Sequence, residues 1–532
     1  MKTLIHLNQI GYLTNLPKTA VVAGKASSFC ICEKNSGKPV FAGLLGDEVF
    51  DAASGETVFP VEFSSLAIKG EYYLKVGNKK SPSFKICQNP FREVKKAVLK
   101  SFFLNRCGMP LHSEFAGEYR RKKCHIEKAV LISNPQITLD VRGGWHDSGN
   151  YCRYVLSGAV ALAHMLYAYE LFPESFDEEI KIPESGNGIP DILNECRWEL
   201  EWLIKMQDKD GGVFYRAAAK EFPANIMPHE DCDEIFVYEK TASATAAFCA
   251  VCALASRIFS AFDKAFADEL KKRAEKAWLW AVQNKKAKSN LSWPASNFYS
   301  YGDSNPIDKI FWAAAEMHAL TGSNLFEEAM LDDYENVDTA SFSQSFSGGF
   351  GALSFVFSPK AKNLLLLDAF KTAFIYKADT ICAMSKNSAY KTAVSGNKYL
   401  KDSNFEILSA AMVLIIANKI SPNEDYVSAA IEQLNYILGK NPMGISYVTG
   451  FGEKCCQHPH HRPSTADGID APPKGLIVCG PNMEREDEYI RWLIPKGTPP
   501  AKCYVDKEYS YSTNETSLYT SACLLFVLGF FS

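Results

Sequence analysis

The chain has 532 residues, 47% of them hydrophobic, more than one ordinary core organises, so two domains of unequal size are expected. A formal net charge of -4, with both signs interspersed and no long basic run, argues against nucleic acid or an anionic membrane as partner and favours a neutral ligand. Aromatic residues make up 12%, which suits a large core and equally suits stacking against sugar rings.

The start, Met1-Lys2-Thr3-Leu4-Ile5-His6-Leu7-Asn8, lacks the apolar stretch of a signal peptide, and no later segment reads as long and apolar enough to cross a bilayer. Sixteen cysteines without a dense regular framework read as reduced thiols plus a metal site, so a soluble, cytoplasmic protein is expected. From Ile5 to about Cys87 short alternating runs such as Thr19-Ala20-Val21-Val22-Ala23 and Glu71-Tyr72-Tyr73-Leu74-Lys75-Val76 are separated by Gly, Asn, Ser and Pro. This pattern predicts a small antiparallel β-sandwich over residues 1–88, with Asn89-Pro90 as the junction to a second domain, 89–532.

Beyond the junction the period becomes helical. Helices are expected over Phe91 to Arg106, Val155 to Leu171, Ile189 to Gln207, Ala242 to Ser260, Ala261 to Gln283 and Pro306 to Leu320. Others follow over Asn363 to Met384, Phe405 to Ala417, Asn423 to Leu438 and Ser512 to Phe531, with no comparable strand series between them. So many amphipathic faces need a closed ring of helix hairpins or a solenoid, not a simple bundle. Loops 140–151, 449–482 and 494–511 are long and rich in Gly, Pro, His and acids, and sites form on such loops.

Three segments carry chemistry. Gly143-Gly144-Trp145-His146-Asp147-Ser148-Gly149-Asn150-Tyr151 is a glycine-punctuated turn holding a carboxylate beside an aromatic. Tyr504-Val505-Asp506 and Tyr511-Ser512-Thr513-Asn514-Glu515 lead into the last apolar helix. Gln457-His458-Pro459-His460-His461-Arg462-Pro463-Ser464 follows Asn441-Pro442-Met443-Gly444-Ile445-Ser446-Tyr447-Val448-Thr449-Gly450. Alone, Asp147 reads as a turn or capping residue, and Glu515 is equally ambiguous.

Together with the stretch from Pro183 to Gln207, these segments make most of residues 90–532 resemble glycoside hydrolase family 9. The N-terminal part looks like the immunoglobulin-like module of one branch of that family. The resemblance implies an (α/α)6-barrel catalytic domain behind an all-β immunoglobulin-like sandwich. It further implies inverting hydrolysis of β-1,4-glycosidic bonds in short gluco-oligosaccharides such as cellodextrins. Inversion needs a protonated carboxyl for the leaving oxygen and an ionised carboxylate that activates water on the opposite face. By resemblance Glu515 is the acid, while the turn at Asp147 and Asn150 manages the water.

The family carries Asp-x-Gly-Asp there, with the second aspartate as base, and this chain has Asn150 at that position. An amide orients water and takes up no proton at neutral pH. Three readings stay open: an introduced, inactivating exchange; Asp147 as sole base; or a carbohydrate-binding protein that no longer hydrolyses. His460 and Arg462 match the family's His-x-Arg pair on substrate hydroxyls, and Tyr511 is expected in the same subsite. A rival within the fold is an exo-β-glucosaminidase on chitosan oligomers, its amine met by His229-Glu230-Asp231-Cys232-Asp233-Glu234, a stretch that otherwise reads as a solvated loop.

Cys107, Cys124, His125 and His146 are of the right kind and number for tetrahedral zinc, though their spacing is irregular. The sandwich-bearing branch implies a structural zinc on such residues. Four protein ligands leave no open position for water, which disfavours zinc-dependent hydrolysis. The resemblance also implies calcium on Glu184, Asn187, Ser464, Asp467 and the Ile469 carbonyl, oxygen donors from two loops that suit a hard cation.

Overall fold

The computed structural model describes residues 3–24, 26–147, 149–288 and 305–532. Backbone proximity divides the chain into two compact units, one of residues 1–101 with 376–532 and the other of residues 102–375.

In the first unit, two sheets form the N-terminal sandwich. One runs in the order Leu4–Leu7, Thr19–Ala23, Glu56–Glu62, Val49–Asp51. The other runs Gly11–Leu13, Lys79–Cys87, Gly70–Val76, Ser28–Glu33, Pro39–Leu44. Inward residues such as Val22, Ile31, Val61, Leu74 and Ile86 are buried in a common core, as the period-two pattern requires. One departure from the expected antiparallel arrangement is the pairing of Gly11–Leu13 with Lys79–Cys87, which is parallel. The last sandwich strand ends at Cys87 and the first helix, Arg92–Leu104, follows directly.

The same unit holds the helices Ser403–Ile420, Glu424–Ile437 and Leu518–Phe530, the first packed on the other two. The expected single helix from Ser512 to Phe531 is two pieces, Tyr511–Asn514 and Leu518–Phe530. Ser517 starts the second piece by accepting a hydrogen bond from Thr520 N, and Glu515 between them is extended, with φ -67° and ψ 144°. A capping serine three residues before Thr520 therefore interrupts a sequence whose apolar pattern runs on.

In the second unit Ala242–Phe259 packs against Val155–Leu171, Lys264–Gln283 and Ile307–Thr321, and Ile307–Thr321 packs against Gly348–Phe357. Thr241 and Asp263 cap Ala242–Phe259 and Lys264–Gln283, which sets the second start at Lys264, not Ala261. Among the helices outside the sequence expectation the two longest, ten residues each, are Asn324–Asp333 and the glycine-rich Gly348–Phe357; Ser113–Ala116, Arg462–Ala466 and Glu488–Leu493 are short additions. The expectation of no strand series also fails: a five-stranded sheet orders Asn134–Leu139, Ala129–Leu131, Phe236–Val237, Arg216–Ala218 and Arg153–Tyr154. Strands of two to six residues are too short to display a period.

A further correction concerns apolar length. Ala242–Phe259 and Ser403–Ile420 are long and apolar enough to cross a membrane by length and composition, and 89% and 67% of their respective windows are buried within the protein.

Candidate active site and metal cluster

In the second unit the Gly143–Tyr151 turn is pinned from below by the helix Asp191–Lys205, the carboxyl-rich part of the Pro183–Gln207 stretch. Glu199 Oε2 accepts the Trp145 N–H at 2.7 Å, and Glu195 Oε2 accepts the Trp145 indole N–H at 3.2 Å. Trp198 Nε1 donates to Gly144 O at 3.0 Å. Gly144 has φ +74°, and a Cβ there would stand 2.8 Å from the Trp202 ring, so only glycine fits. Arg106, fully buried, reaches Glu195 at 2.8 Å. Burial pushes the Glu199 carboxyl up to about 8, with Asp147 adding to the rise.

Asp147 is buried at the tip of this turn. Its N–H donates to Cys152 O at 3.0 Å, and Asn150 N donates to Asp147 O at 3.0 Å. Asn150 Oδ1 accepts from Cys152 N at 2.8 Å. The amide oxygen is thus engaged by the turn, and the NH2 side of the Asn150 amide adds two donors for a water or a sugar hydroxyl. Ser148 lies outside the described residues.

Next to the turn, Cys107, Cys124, His125 and His146 converge, their ligating atoms all within 4.8 Å of one another. His146 Nε2 is 3.2 Å from His125 Nδ1 and 4.0 Å from Cys124 Sγ, while Cys107 Sγ is 3.8 Å from His125 Nδ1. Two sulfurs and two imidazoles at these separations fit a tetrahedral borderline-soft ion. Burial holds His146 down to about 3, leaving its imidazole neutral and able to ligate, and Arg121 donates to Cys124 Sγ at 3.1 Å. The far nitrogen of His125 donates to Asp231 Oδ2 at 3.2 Å, both side chains only 2% exposed. The Tyr151 ring packs tilted against both imidazoles, and its hydroxyl donates to Ile226 O at 2.5 Å. Asp231 corrects the reading of residues 229–234 as merely solvated: Cys232, Asp233 and Glu234 are exposed, but Asp231 faces the cluster.

Four of the five donors named for calcium make other contacts. Arg106 takes both Glu184 oxygens, at 2.9 and 3.0 Å, and a guanidinium there opposes a second cation. Asn187 Oδ1 accepts from Ile189 N at 2.8 Å. In the other unit Ser464 Oγ lies 2.7 Å from His461 Nδ1, and Asp467 Oδ1 accepts from Ile469 N at 2.9 Å. Glu184 in this placement does not fit a calcium ligand.

In the first unit Glu515 lies on the extended break between the two last helical pieces. Its backbone bridges His460 on one side, and its carbonyl accepts from Cys479 N at 2.9 Å on the other. His460 N donates to Asn514 O at 2.7 Å, and the His460 and Tyr511 rings are 6.5 Å apart, edge to face. Asp506 holds the histidine loop by accepting from Gln457 N and His458 N, each at 2.9 Å. Tyr504 OH donates to Asn514 Oδ1 at 2.6 Å. The Glu515 side chain is 10% exposed, and Lys401 Nζ stands 2.9 Å from its Oε2. Burial lowers the His460 imidazole, Glu515 and the Glu508 carbonyl oppose that, and Arg462 and Lys401 add to it. Arg462 opens the short helix Arg462–Ala466 two residues on.

Residues 91–528 match the family model described as glycosyl hydrolase family 9, and residues 2–81 match that of the cellulase N-terminal ig-like domain. The chain belongs to glycoside hydrolase family 9. It is a glycoside hydrolase with the fold of that family, an (α/α)6 barrel with a β-sandwich module ahead of it. This family 9 hydrolase is 34% identical over 542 residues to a cellodextrinase of Butyrivibrio fibrisolvens, covering 98% of each chain. A metagenome-derived family 9 endoglucanase of known structure superimposes with a TM-score of 0.92 at 31% identity, covering 99% of each chain. A solved structure described as a zinc-binding triple mutant of the family 9 endoglucanase J30 gives a TM-score of 0.91 at 29% identity, covering 98% of this chain and 99% of that one.

Of the residues singled out from sequence, the structure brings together Glu515, His460 and Tyr511 in one unit and the four zinc candidates in the other. Sequence reasoning gives no role to Lys401, Glu195 or Glu199, quotes Asp506 only as part of its segment, and reads Asp231 as part of a loop that is solvated or meets an amine. The two glutamates, four apart on one helix face, were visible as spacing. Lys401 carries no local signal.

Proposed function

We propose that this hydrolase cleaves β-1,4-glucan oligomers with inversion, with Glu515 donating the proton to the leaving oxygen and Asp147 accepting one from water. The observation that carries this reading is the Glu515 carboxyl, largely buried on an extended break beside His460 and Tyr511, where a sugar's hydroxyls and ring face find partners. His460 and Arg462 then hold substrate hydroxyls, and the Asn150 amide orients the water that Asp147 deprotonates. The similarity to a cellodextrinase over nearly the whole chain supports short soluble glucans as substrate. The cysteine content supports a reducing, cytoplasmic setting for them.

We further propose zinc on Cys107, Cys124, His125 and His146, a closed site that holds the Gly143–Tyr151 turn and takes no part in bond cleavage. The Arg106 contacts lead us to propose no calcium at Glu184.

The test is product release from cellotetraose by the unaltered chain and by Asn150→Asp, with a chitosan tetramer alongside. A second carboxylate should raise the cellotetraose rate on the order of a hundredfold or more, the range of a general base. A gain on chitosan instead would transfer the assignment to aminosugars. Binding without product in both proteins would turn the site into a carbohydrate-binding one, the alternative that Asn150 raises.

A further inference from the structure

Lys401 belongs to none of the segments that carry the family resemblance, yet it makes the most direct side-chain contact with the acid. Its ammonium is 2.9 Å from Glu515 Oε2, with side chains 24% and 10% exposed, and it lies 5.4 Å over the Tyr511 ring. Exposed ion pairs between long side chains are floppy and weak. This one is part-buried and held at both ends.

The lysine end is fixed by an unusual backbone. Asp402, next in the chain, has φ +66°, a left-handed conformation that a side-chain-bearing residue adopts only when its surroundings impose it. Here they do. Asp402 Oδ1 accepts from Cys479 Sγ at 2.9 Å, and Oδ2 accepts from Tyr519 OH at 2.6 Å. The helix Ser403–Ile420 then starts against the same strip of chain: Asn404 N donates to Cys479 O at 2.9 Å and Asn404 Nδ2 donates to Val478 O at 2.8 Å. Cys479 N in turn donates to Glu515 O at 2.9 Å. One residue, Cys479, is therefore bonded to the turn that aims Lys401 and to the backbone that carries the acid. Glu486 also senses Lys401, being pushed up by burial and held back by the lysine, as does the Cys479 thiol.

We propose that Lys401 is a positioning residue for the catalytic acid. Its ammonium holds one carboxyl oxygen of Glu515, presents the other to the glycosidic oxygen, and stabilises the carboxylate left when the proton has gone. The inference rests on Glu515 being the acid. In that step the proton passes from Glu515 to the glycosidic oxygen as the bond from that oxygen to the anomeric carbon breaks. Water supplies the new bond and yields its proton to the base. When the protonated acid gives up its proton, negative charge returns to Glu515 beside a fixed cation, which favours the transition state over the bound substrate with the acid still protonated.

The experiment compares Lys401→Met, Lys401→Arg and Glu515→Gln in the Asn150→Asp background on two substrates, cellotetraose and dinitrophenyl β-cellobioside. The sugar leaving group needs a proton, whereas the dinitrophenolate leaves without one. Lys401→Met is expected to lower kcat on cellotetraose roughly ten- to a hundredfold with KM little changed, and to lower aryl release far less. Lys401→Arg should recover most of the loss, and thermal unfolding should show all variants folded. Equal losses on both substrates would make the lysine merely structural, and no loss on either would make it a bystander; either result overturns the proposal. Glu515→Gln reports separately on the acid. If it too fails to discriminate between the substrates, or if the Asn150→Asp parent turns over neither, the acid assignment falls and the role of Lys401 falls with it.

Discussion

Glu199 shows how far one residue's chemistry reaches. It is a fully buried carboxyl on the helix Asp191–Lys205, it accepts the Trp145 N–H, and a Cβ at Gly158 would meet its Oε1 at 2.2 Å, so a larger residue there would displace it. Burial raises it from 4.5 to about 8. A carboxyl whose folded value is raised binds its proton more tightly in the native state. Its contribution to stability is full below the unfolded value and is lost as pH climbs through the folded one. The native protein should therefore lose stability between 4.5 and about 8 on account of this group. Glu199→Gln keeps the acceptor for Trp145 and removes the titration, so its melting temperature should fall less than the parent's over that window. Calorimetry at several pH values decides it: parallel curves for the two proteins would show that Glu199 stays ionised in the fold.

At the scale of elements, the segment 224–231 and the Gly143–Tyr151 turn meet at the cysteine–histidine cluster proposed to hold zinc. Asp231 accepts from His125, and Tyr151 reaches Ile226 O. A carboxylate behind a ligating imidazole fixes its tautomer and raises its basicity, and loss of such a partner typically costs about 10–100-fold in metal affinity. Asp231→Asn should weaken zinc binding by that factor in a chelator competition, with the protein still folded at saturating zinc. Unchanged affinity would leave Asp231 as a loop tether only. None of this was visible in a chain where His125 and Asp231 stand 106 positions apart. What the sequence did show was local. Period alone placed Val155–Leu171 at its observed bounds and most other long helices within a few residues. The short strands around Arg216–Ala218 and the break at Glu515 were hidden, because two-residue strands have no period and a capping serine inside an apolar run looks like part of the run. The candidate site was legible as motifs, Glu515 with His460 and the cysteine–histidine set, since the family resemblance supplied pairings that spacing could not. Lys401 was not, because its position depends on the turn at Asp402, which nothing in the residue types around it demands.

At the scale of the molecule, the sandwich and the C-terminal segment lie in one compact unit across the change of period near residue 88. The reason is polar and buried. Gln9 N donates to Leu438 O at 3.0 Å, Asn8 Nδ2 donates to Asn435 Oδ1 at 2.9 Å, and Lys454 N donates to Gln9 Oε1 at 2.9 Å. Beside them Thr19 Oγ1 donates to Glu432 at 2.8 Å, and Lys440, fully buried, meets both the Thr19 hydroxyl and the Glu432 carboxylate. A buried pair adds little net stability over apolar residues of the same shape, but removing one partner strands the other in a medium that cannot solvate it. Lys440→Met alone should cost about 3–5 kcal/mol, while Lys440→Met combined with Glu432→Leu should recover much of the loss. Chemical denaturation followed by intrinsic fluorescence would show this as a lowered midpoint for the single variant and a partial return for the double. If the single variant unfolds where the parent does, the pair does not hold the sandwich to the helices, and the backbone bonds of Gln9 carry that joint. If the double variant is as unstable as the single, what matters is the polar link to Thr19 and not the stranded charge, since only the first is absent from both.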